Sequence, residues 1–100
     1  MSKTYNVSLI SDSTGETLDR IFVSLKAQFG EVKYDVKQFS FTRTENQISK
    51  IIEKYKKKKN PIILFTIVDI ELSNYLKKKC SDEKIPCYGA LEELIVVFSK

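Results

Sequence analysis

Residues 62–68 have the sequence IILFTIV, an apolar run with a single threonine, and they limit the possible folds more than any other segment. A strand with one solvent-exposed face alternates apolar and polar residues, whereas a parallel strand covered on both faces is apolar almost throughout. The run therefore indicates a central strand of a parallel sheet, with helices packed on each side.

The flanking segments alternate between strand and helix patterns. Short runs rich in β-branched and aromatic residues predict strands at residues 5–10, 33–41 and 85–88, and the last begins beside a proline, which favours a sheet edge. In the second strand the inward candidates are Tyr34, Val36, Phe39 and Phe41. Helical spacing predicts four helices, whose apolar positions are Leu18, Ile21, Phe22, Leu25 and Phe29; Ile48, Ile51, Ile52 and Tyr55; Leu72, Tyr75 and Leu76; and Leu91, Leu94, Ile95 and Phe98.

Polar residues predict where these helices begin and end. Gly30 is expected to stop the first helix, and Thr42 with Glu45 fits a capping box at the start of the second. Asp69 is expected to cap the third. Lysine runs at residues 56–59 and 77–79 are expected at helix ends, where cations complement the helix dipole.

The alternation over residues 1–100 predicts a single α/β domain. Right-handed crossovers give a four-stranded parallel sheet with helices on both faces, in the Rossmann-like order 2-1-3-4. In such a sheet, ligands bind at the carboxyl ends of the strands where the winding reverses, here between the first and third strands.

Three polar turns are expected to meet at this edge. We call them the polar rim, defined as residues 11–17, 42–44 and 68–69. Its candidate phosphate-binding or ligand-binding residues are Ser11, Asp12, Ser13, Thr14, Gly15, Glu16, Thr17, Arg43, Thr44 and Asp69. Unpaired amides at a helix start favour anions, and an arginine on a neighbouring turn offers a bidentate donor for phosphate or carboxylate. No catalytic residue can be assigned among them.

A purely structural interpretation of the rim also exists. Ser13 with Glu16 fits a second capping box, Arg43 could be a surface arginine, and Asp69 could serve only as a helix cap. This interpretation does not account for Asp12, Thr14 and Thr17 beside a glycine, so both alternatives stay open.

Composition argues against several classes of protein. The chain has no histidine, and its two cysteines lie seven residues apart, which argues against a zinc site or a histidine-assisted nucleophile, so no metal is predicted. No GxxxxGK[ST] or GxGxxG motif is present. Of 17 basic residues only two are arginine, and the lysine runs lack interleaved aromatics, which argues against nucleic-acid binding. With no signal or membrane segment in the sequence, we expect a cytoplasmic location and no membrane partner.

The turn at residues 11–17, together with FTRT at 41–44, FTIVD at 65–69 and IPC at 85–87, resembles the amino-terminal domain of a bacterial and plant family. Its members are bifunctional serine/threonine kinases and phosphorylases that control phosphoenolpyruvate synthase or pyruvate, phosphate dikinase. The resemblance covers essentially all 100 residues. It implies that ADP is used to phosphorylate a threonine of the target enzyme and that inorganic phosphate removes this group, releasing pyrophosphate.

In that family the Walker-type phosphate loop belongs to a carboxyl-terminal domain that has no counterpart here. We therefore expect this chain to be the amino-terminal domain of a longer protein, inactive by itself and without a cofactor of its own, while ADP and phosphate serve the full-length family. The implied partners are the target enzyme, the chain's own carboxyl-terminal domain and a second copy. The alternative is a non-catalytic docking or dimerisation module whose polar turns are structural.

Overall fold

The computed structural model describes residues 3–28 and 32–90. They form four strands and three helices: β1 (Thr4–Ser11), α1 (Glu16–Gln28), β2 (Lys33–Phe39), α2 (Glu45–Tyr55), β3 (Pro61–Thr66), α3 (Ile70–Asp82) and β4 (Cys87–Gly89). All strand pairs are parallel, and the order is β2-β1-β3-β4. The predicted α/β fold and strand order are confirmed. The predicted fourth helix, Phe29 and Gly30 lie outside the described residues.

The apolar run forms the central strand that its composition predicts. β3 pairs with β1 on one side and with the short edge strand β4 on the other. It ends at Thr66, two residues before the apolar run does. Val68 is 65% exposed because it lies in the loop that leads to α3.

Helices cover both faces of the sheet. Successive side chains of a strand point to opposite faces, so Val7 and Leu9 of β1 pack with Leu18 and Phe22 of α1. Ile10 belongs instead to the larger core on the opposite face. That core contains the predicted residues of α2 and α3: Ile48, Ile51, Ile52, Tyr55, Leu72 and Leu76, with Tyr75 packed against it.

Two predicted core positions are wrong. Leu25 is 44% exposed, because the described core on the α1 face ends at Phe22, one turn earlier. Phe41 is 51% exposed, because β2 ends at Phe39 and the backbone then turns, with a φ of 54° at Phe41.

Two helix boundaries also differ from the prediction. The N-cap of α2 is Thr44, whose capping box uses Gln47. Thr42 does not take this role, because its hydroxyl donates to the Phe39 carbonyl 3.1 Å away. Asp69 caps α3 as predicted, but this helix continues beyond the lysine run to Asp82.

No helix within residues 3–28 and 32–90 combines the length and apolar character needed to cross a membrane.

Candidate functional site

The carboxyl ends of β1 and β3 lie side by side, and hydrogen bonds join the residues at which they end. Ser11 is fully buried and pairs with Thr66. The Thr66 hydroxyl donates to Ser11 Oγ at 3.3 Å, and the amide of Asp12 donates to the Thr66 carbonyl at 3.3 Å. The first and third strands therefore meet where the winding of the sheet reverses.

Asp12 connects all three turns of the polar rim. Its carboxylate Oδ2 accepts a hydrogen bond from the amide of Val68 at 2.9 Å. Its carbonyl accepts a hydrogen bond from Arg43 Nε at 3.0 Å. The turns that sequence reasoning places at one edge are thus joined by direct contacts, and Asp12 is a half-buried bridge between them.

The carbonyl groups of the first turn are occupied by the segment that follows β2. Ser13 O accepts from the amide of Phe41 at 2.9 Å, and Ser11 O accepts from the amide of Thr42 at 2.8 Å. Thr14 O accepts from the Ser40 hydroxyl at 2.7 Å. Gly15 O accepts from Gln38 Nε2 at 2.8 Å. These bonds satisfy the carbonyls, and the amides of Ser13 and Glu16 already donate to Ser11 Oγ and Thr14 Oγ1. Any ligand of the turn therefore has to use the remaining amides and the hydroxyls.

Gly15 is required by the fold. Its φ is +82°, a backbone conformation that L-residues with a side chain rarely adopt, and an added Cβ would lie 2.7 Å from Gln38 Nε2. This structural reason accounts for the glycine without a closely approaching ligand.

The predicted capping box of Ser13 and Glu16 is wrong. The first helical hydrogen bond of α1 runs from the Asp19 amide to the Gly15 carbonyl at 2.9 Å, so Gly15 occupies the N-cap. The Ser13 hydroxyl lies 3.2 Å from Ser11 Oγ. The Glu16 carboxylate instead accepts from Arg20 at 3.0 Å, one turn along the exposed face of α1.

The side chain of Arg43 is held in a position suited to binding an anion. Its side chain is fixed at Nε by the Asp12 carbonyl, and its guanidinium carbon lies 5.2 Å from the centre of the exposed Phe41 ring. Within residues 3–28 and 32–90, the contacts of Arg43 leave its two terminal Nη groups without a partner. A planar donor edge of this kind suits phosphate or carboxylate.

Thr44 and Asp69 lie at the rim but have structural roles. The Thr44 hydroxyl accepts from the Gln47 amide at 3.1 Å, and Asp69 Oδ1 accepts from the Leu72 amide at 3.1 Å. Both side chains are therefore used as helix caps.

Other contributors lie outside the predicted set. Gln38, Ser40 and Thr66 bond to the first turn from distant parts of the chain, and no local sequence pattern marks them. Apolar side chains surround the rim as well, since Phe41, Val68 and Ile70 are each more than half exposed.

The arrangement is suited to binding an anion. Ser13, Thr14 and Thr17 are exposed beside the first turn of α1, where amides have no helical acceptor, and Arg43 approaches from the adjacent turn. Within the part of the chain that the structure describes, no three side chains of the metal-binding types come together. Ligand binding by these residues stays a prediction.

Comparison with known proteins yields one consistent family. A family model described as kinase/pyrophosphorylase matches residues 7–100. A protein of Pelagibacter ubique is 59% identical over 100 residues, covering 100% of this chain and 36% of that relative. A protein of Ehrlichia chaffeensis is 38% identical over 94 residues, and one of Agrobacterium fabrum is 34% identical over 94 residues; each match covers 94% of this chain and 34% of the relative.

All three relatives are provisionally named pyruvate, phosphate dikinase regulatory protein. This chain spans about a third of the length of each, since the matches cover 36%, 34% and 34% of the three.

Proposed function

Because this chain belongs to the kinase/pyrophosphorylase family, we propose that it forms the amino-terminal third of a regulatory phosphotransferase acting on pyruvate, phosphate dikinase or phosphoenolpyruvate synthase. The observation that carries the proposal is the 59% identity, over the whole chain, to a relative named as a regulator of pyruvate, phosphate dikinase. A cytoplasmic location is part of the same proposal, since no disulfide joins Cys80 to Cys87, both of which lie within the described residues.

The proposed chemistry consists of two different reactions, which have opposite effects on the target threonine. In the first, a phosphoryl group passes from ADP to a threonine hydroxyl of the target enzyme, which by mass balance leaves AMP and releases the hydroxyl proton. In the second, inorganic phosphate attacks the phosphorus of the phosphothreonine, the bond from phosphorus to the threonine oxygen breaks, that oxygen takes up a proton to restore the hydroxyl, and pyrophosphate leaves. This chain has no GxxxxGK[ST] loop to hold the nucleotide, so the proposal places nucleotide binding in a carboxyl-terminal domain.

The polar rim is the part of this chain proposed to contact phosphate. Arg43 would donate through its Nη groups, and the amides of the first turn of α1, together with the hydroxyls of Ser13 and Thr14, would donate from the other side. Three features support this role: the fixation of Arg43 by Asp12, the exposure of the hydroxyls, and the positive end of a helix dipole.

A second candidate, a docking or dimerisation module with a purely structural rim, is favoured by one specific observation. Many polar groups of the rim already have internal partners: the Asp12 carboxylate bonds to Val68, and Thr44 and Asp69 cap helices. In this case the exposed apolar side chains around the rim, among them Phe41, would be the contact surface.

Calorimetric titration of the 100-residue chain with phosphate, pyrophosphate and ADP separates the candidates. Arg43→Gln is compared with Arg20→Gln, which removes the only other arginine, one that pairs with Glu16 away from the rim. We expect pyrophosphate to bind and Arg43→Gln to weaken this binding about tenfold, because charge-assisted hydrogen bonds are lost. Arg20→Gln should leave the affinity unchanged. The absence of heat with all three anions at millimolar concentration would favour the docking module.

A further inference from the structure

A groove of about 310 Å³ lies at the edge of the sheet, next to the polar rim, with which it shares Thr42. It is formed where the end of β2 meets α2. β2 is the edge strand of the described sheet, so this side is open within the described residues. Its apolar lining residues are Phe39 and Ile51, which we call the apolar floor, and Lys50 and Lys54 line it as well. We call this surface the lysine groove.

Within residues 3–28 and 32–90, no carboxylate forms an ion pair with Lys50 or Lys54. The ion pairs of the described residues join Arg20 to Glu16 and Lys56 to Glu53. Lys54 has a basic neighbour instead: contact with the Lys37 ammonium and its charge lower the pKa of Lys54, and burial and the charge of Lys58 do so to a smaller extent. An anion in the groove would relieve this repulsion between like charges.

The polar groups of the groove other than lysine are already engaged. Gln47 Oε1 accepts from the amides of Arg43 and Thr44, and the Ser40 hydroxyl donates to the Thr14 carbonyl. Recognition in the groove therefore depends on the lysine ammonium groups and the apolar floor. A bare inorganic anion would leave that floor uncovered, whereas a peptide can supply both a carboxylate and an apolar side chain.

The spacing of the lysines fits an extended peptide. Lys50 and Lys54 lie four residues apart on one face of α2, about 6 Å along the helix axis. Alternate side chains of an extended chain point to the same face and are about 6.6 Å apart. Two acidic residues separated by one residue therefore match the two lysines.

We propose that the lysine groove docks an extended acidic segment of a partner protein, with two alternate carboxylates on Lys50 and Lys54 and an apolar side chain on the floor of Phe39 and Ile51. This inference goes beyond the proposed phosphotransferase function, since it needs neither phosphate nor Arg43.

The test is an amide NMR titration of the 15N-labelled chain with the capped peptide EAEAF. In an extended peptide its two glutamates and its phenylalanine occupy alternate positions and therefore lie on the same face. The capped peptide QAQAF is its neutral counterpart. The groove variant is Lys50→Gln with Lys54→Gln. The matched control is Lys57→Gln with Lys78→Gln, which removes the same charge from two exposed lysines outside the groove.

We expect EAEAF to shift the resonances of α2 and of the end of β2, and the groove variant to weaken binding about fivefold, as expected for two exposed charge pairs. The control variant should change the affinity less than about twofold, because it weakens only the general attraction of the chain for anions. Added salt should produce the same small loss by screening. Equal weakening in both variants, or equal binding of QAQAF, would overturn the proposal. Displacement of EAEAF by an equal concentration of inorganic phosphate would also overturn it and would indicate a small-anion site. All three outcomes are independent of the pyrophosphate titration that tests Arg43.

Discussion

Replacement of Gly15 by alanine tests the geometry on which the polar rim depends. The residue has a φ of +82°, and a Cβ placed there would lie 2.7 Å from Gln38 Nε2. That nitrogen donates a 2.8 Å hydrogen bond to the Gly15 carbonyl. Gly15→Ala therefore creates backbone strain and also displaces the side chain that fixes the turn against β2.

The expected cost is the sum of these two effects. A left-handed backbone conformation costs an L-residue about 1–2 kcal/mol. Gln38 is flexible and can move away from the new methyl group, so the contact itself costs little, but the lost hydrogen bond costs about 0.5–1.5 kcal/mol. We expect Gly15→Ala to lower the free energy of unfolding by about 2–3 kcal/mol, a large part of the stability of a domain this small.

Urea unfolding monitored by circular dichroism measures this change, and a double-mutant cycle with Gln38→Ala separates its parts. In the Gln38→Ala background, Gly15→Ala should cost only the backbone strain of about 1–2 kcal/mol. A cost below about 0.5 kcal/mol in the wild-type background would refute the assigned backbone geometry. Strict additivity of the two substitutions would refute the contact with Gln38.

Three further predictions concern stability. Thr44→Ala removes the N-cap of α2 and should cost about 1 kcal/mol in urea unfolding, whereas a negligible loss would contradict the assigned capping box. Leu18→Ala, at a fully buried position, should lower the free energy of unfolding by about 2–5 kcal/mol. Its matched control Leu25→Ala, on the exposed part of the same helix, should lower it by about 0.5 kcal/mol or less. Similar losses for both would mean that the α1 face is packed differently. Burial, and to a smaller extent the Asp35 carboxylate, raises the pKa of Tyr55 in the folded chain. The unfolded chain therefore loses the phenol proton at a lower pH than the folded chain, and the free energy of unfolding should fall as the pH rises through 10.0 and above. Tyr55→Phe should flatten that part of the stability profile, and an unchanged slope would exclude Tyr55 as its source.

The fold could be predicted because its determinants are local and repeated. The apolar run at residues 62–68 indicates a strand covered on both faces, and the spacing of Ile48, Ile51, Ile52 and Tyr55 indicates the buried stripe of α2. Leu25 and Phe41 show the limit of this approach. Their spacing suits burial, but the described core ends before Leu25 and β2 ends before Phe41.

The capping residues illustrate why the detail of the rim was harder to predict. The predicted box is Thr42 with Glu45, whereas the structure uses Thr44 with Gln47, which satisfies the same pattern, so local propensity does not separate them. A tertiary contact decides which threonine caps the helix. The amide of Thr42 donates to the Ser11 carbonyl, which holds Thr42 in the turn before α2 begins.

The location of the rim was predictable for a different reason. The carboxyl ends of parallel strands necessarily meet at one edge, so Ser11, Asp12 and Arg43 could be placed together from topology alone. Their partners could not be predicted, because the contacts made by Gln38 and Ser40 span 23 and 26 residues and leave no local signature.

The most direct test of the proposed function is an exchange experiment with the Pelagibacter ubique relative. The 36% of that protein that matches this chain is replaced by this chain, and the chimera is incubated with pyruvate, phosphate dikinase. Incorporation of phosphate into threonine is measured with ADP, and release of pyrophosphate is measured by adding inorganic phosphate to the dikinase already phosphorylated on threonine. We predict both rates within about tenfold of the unmodified relative, a difference of about 1.4 kcal/mol in activation free energy. A folded chimera that binds ADP but catalyses neither reaction, beside an active relative, would contradict the assignment of this chain to the regulatory phosphotransferase.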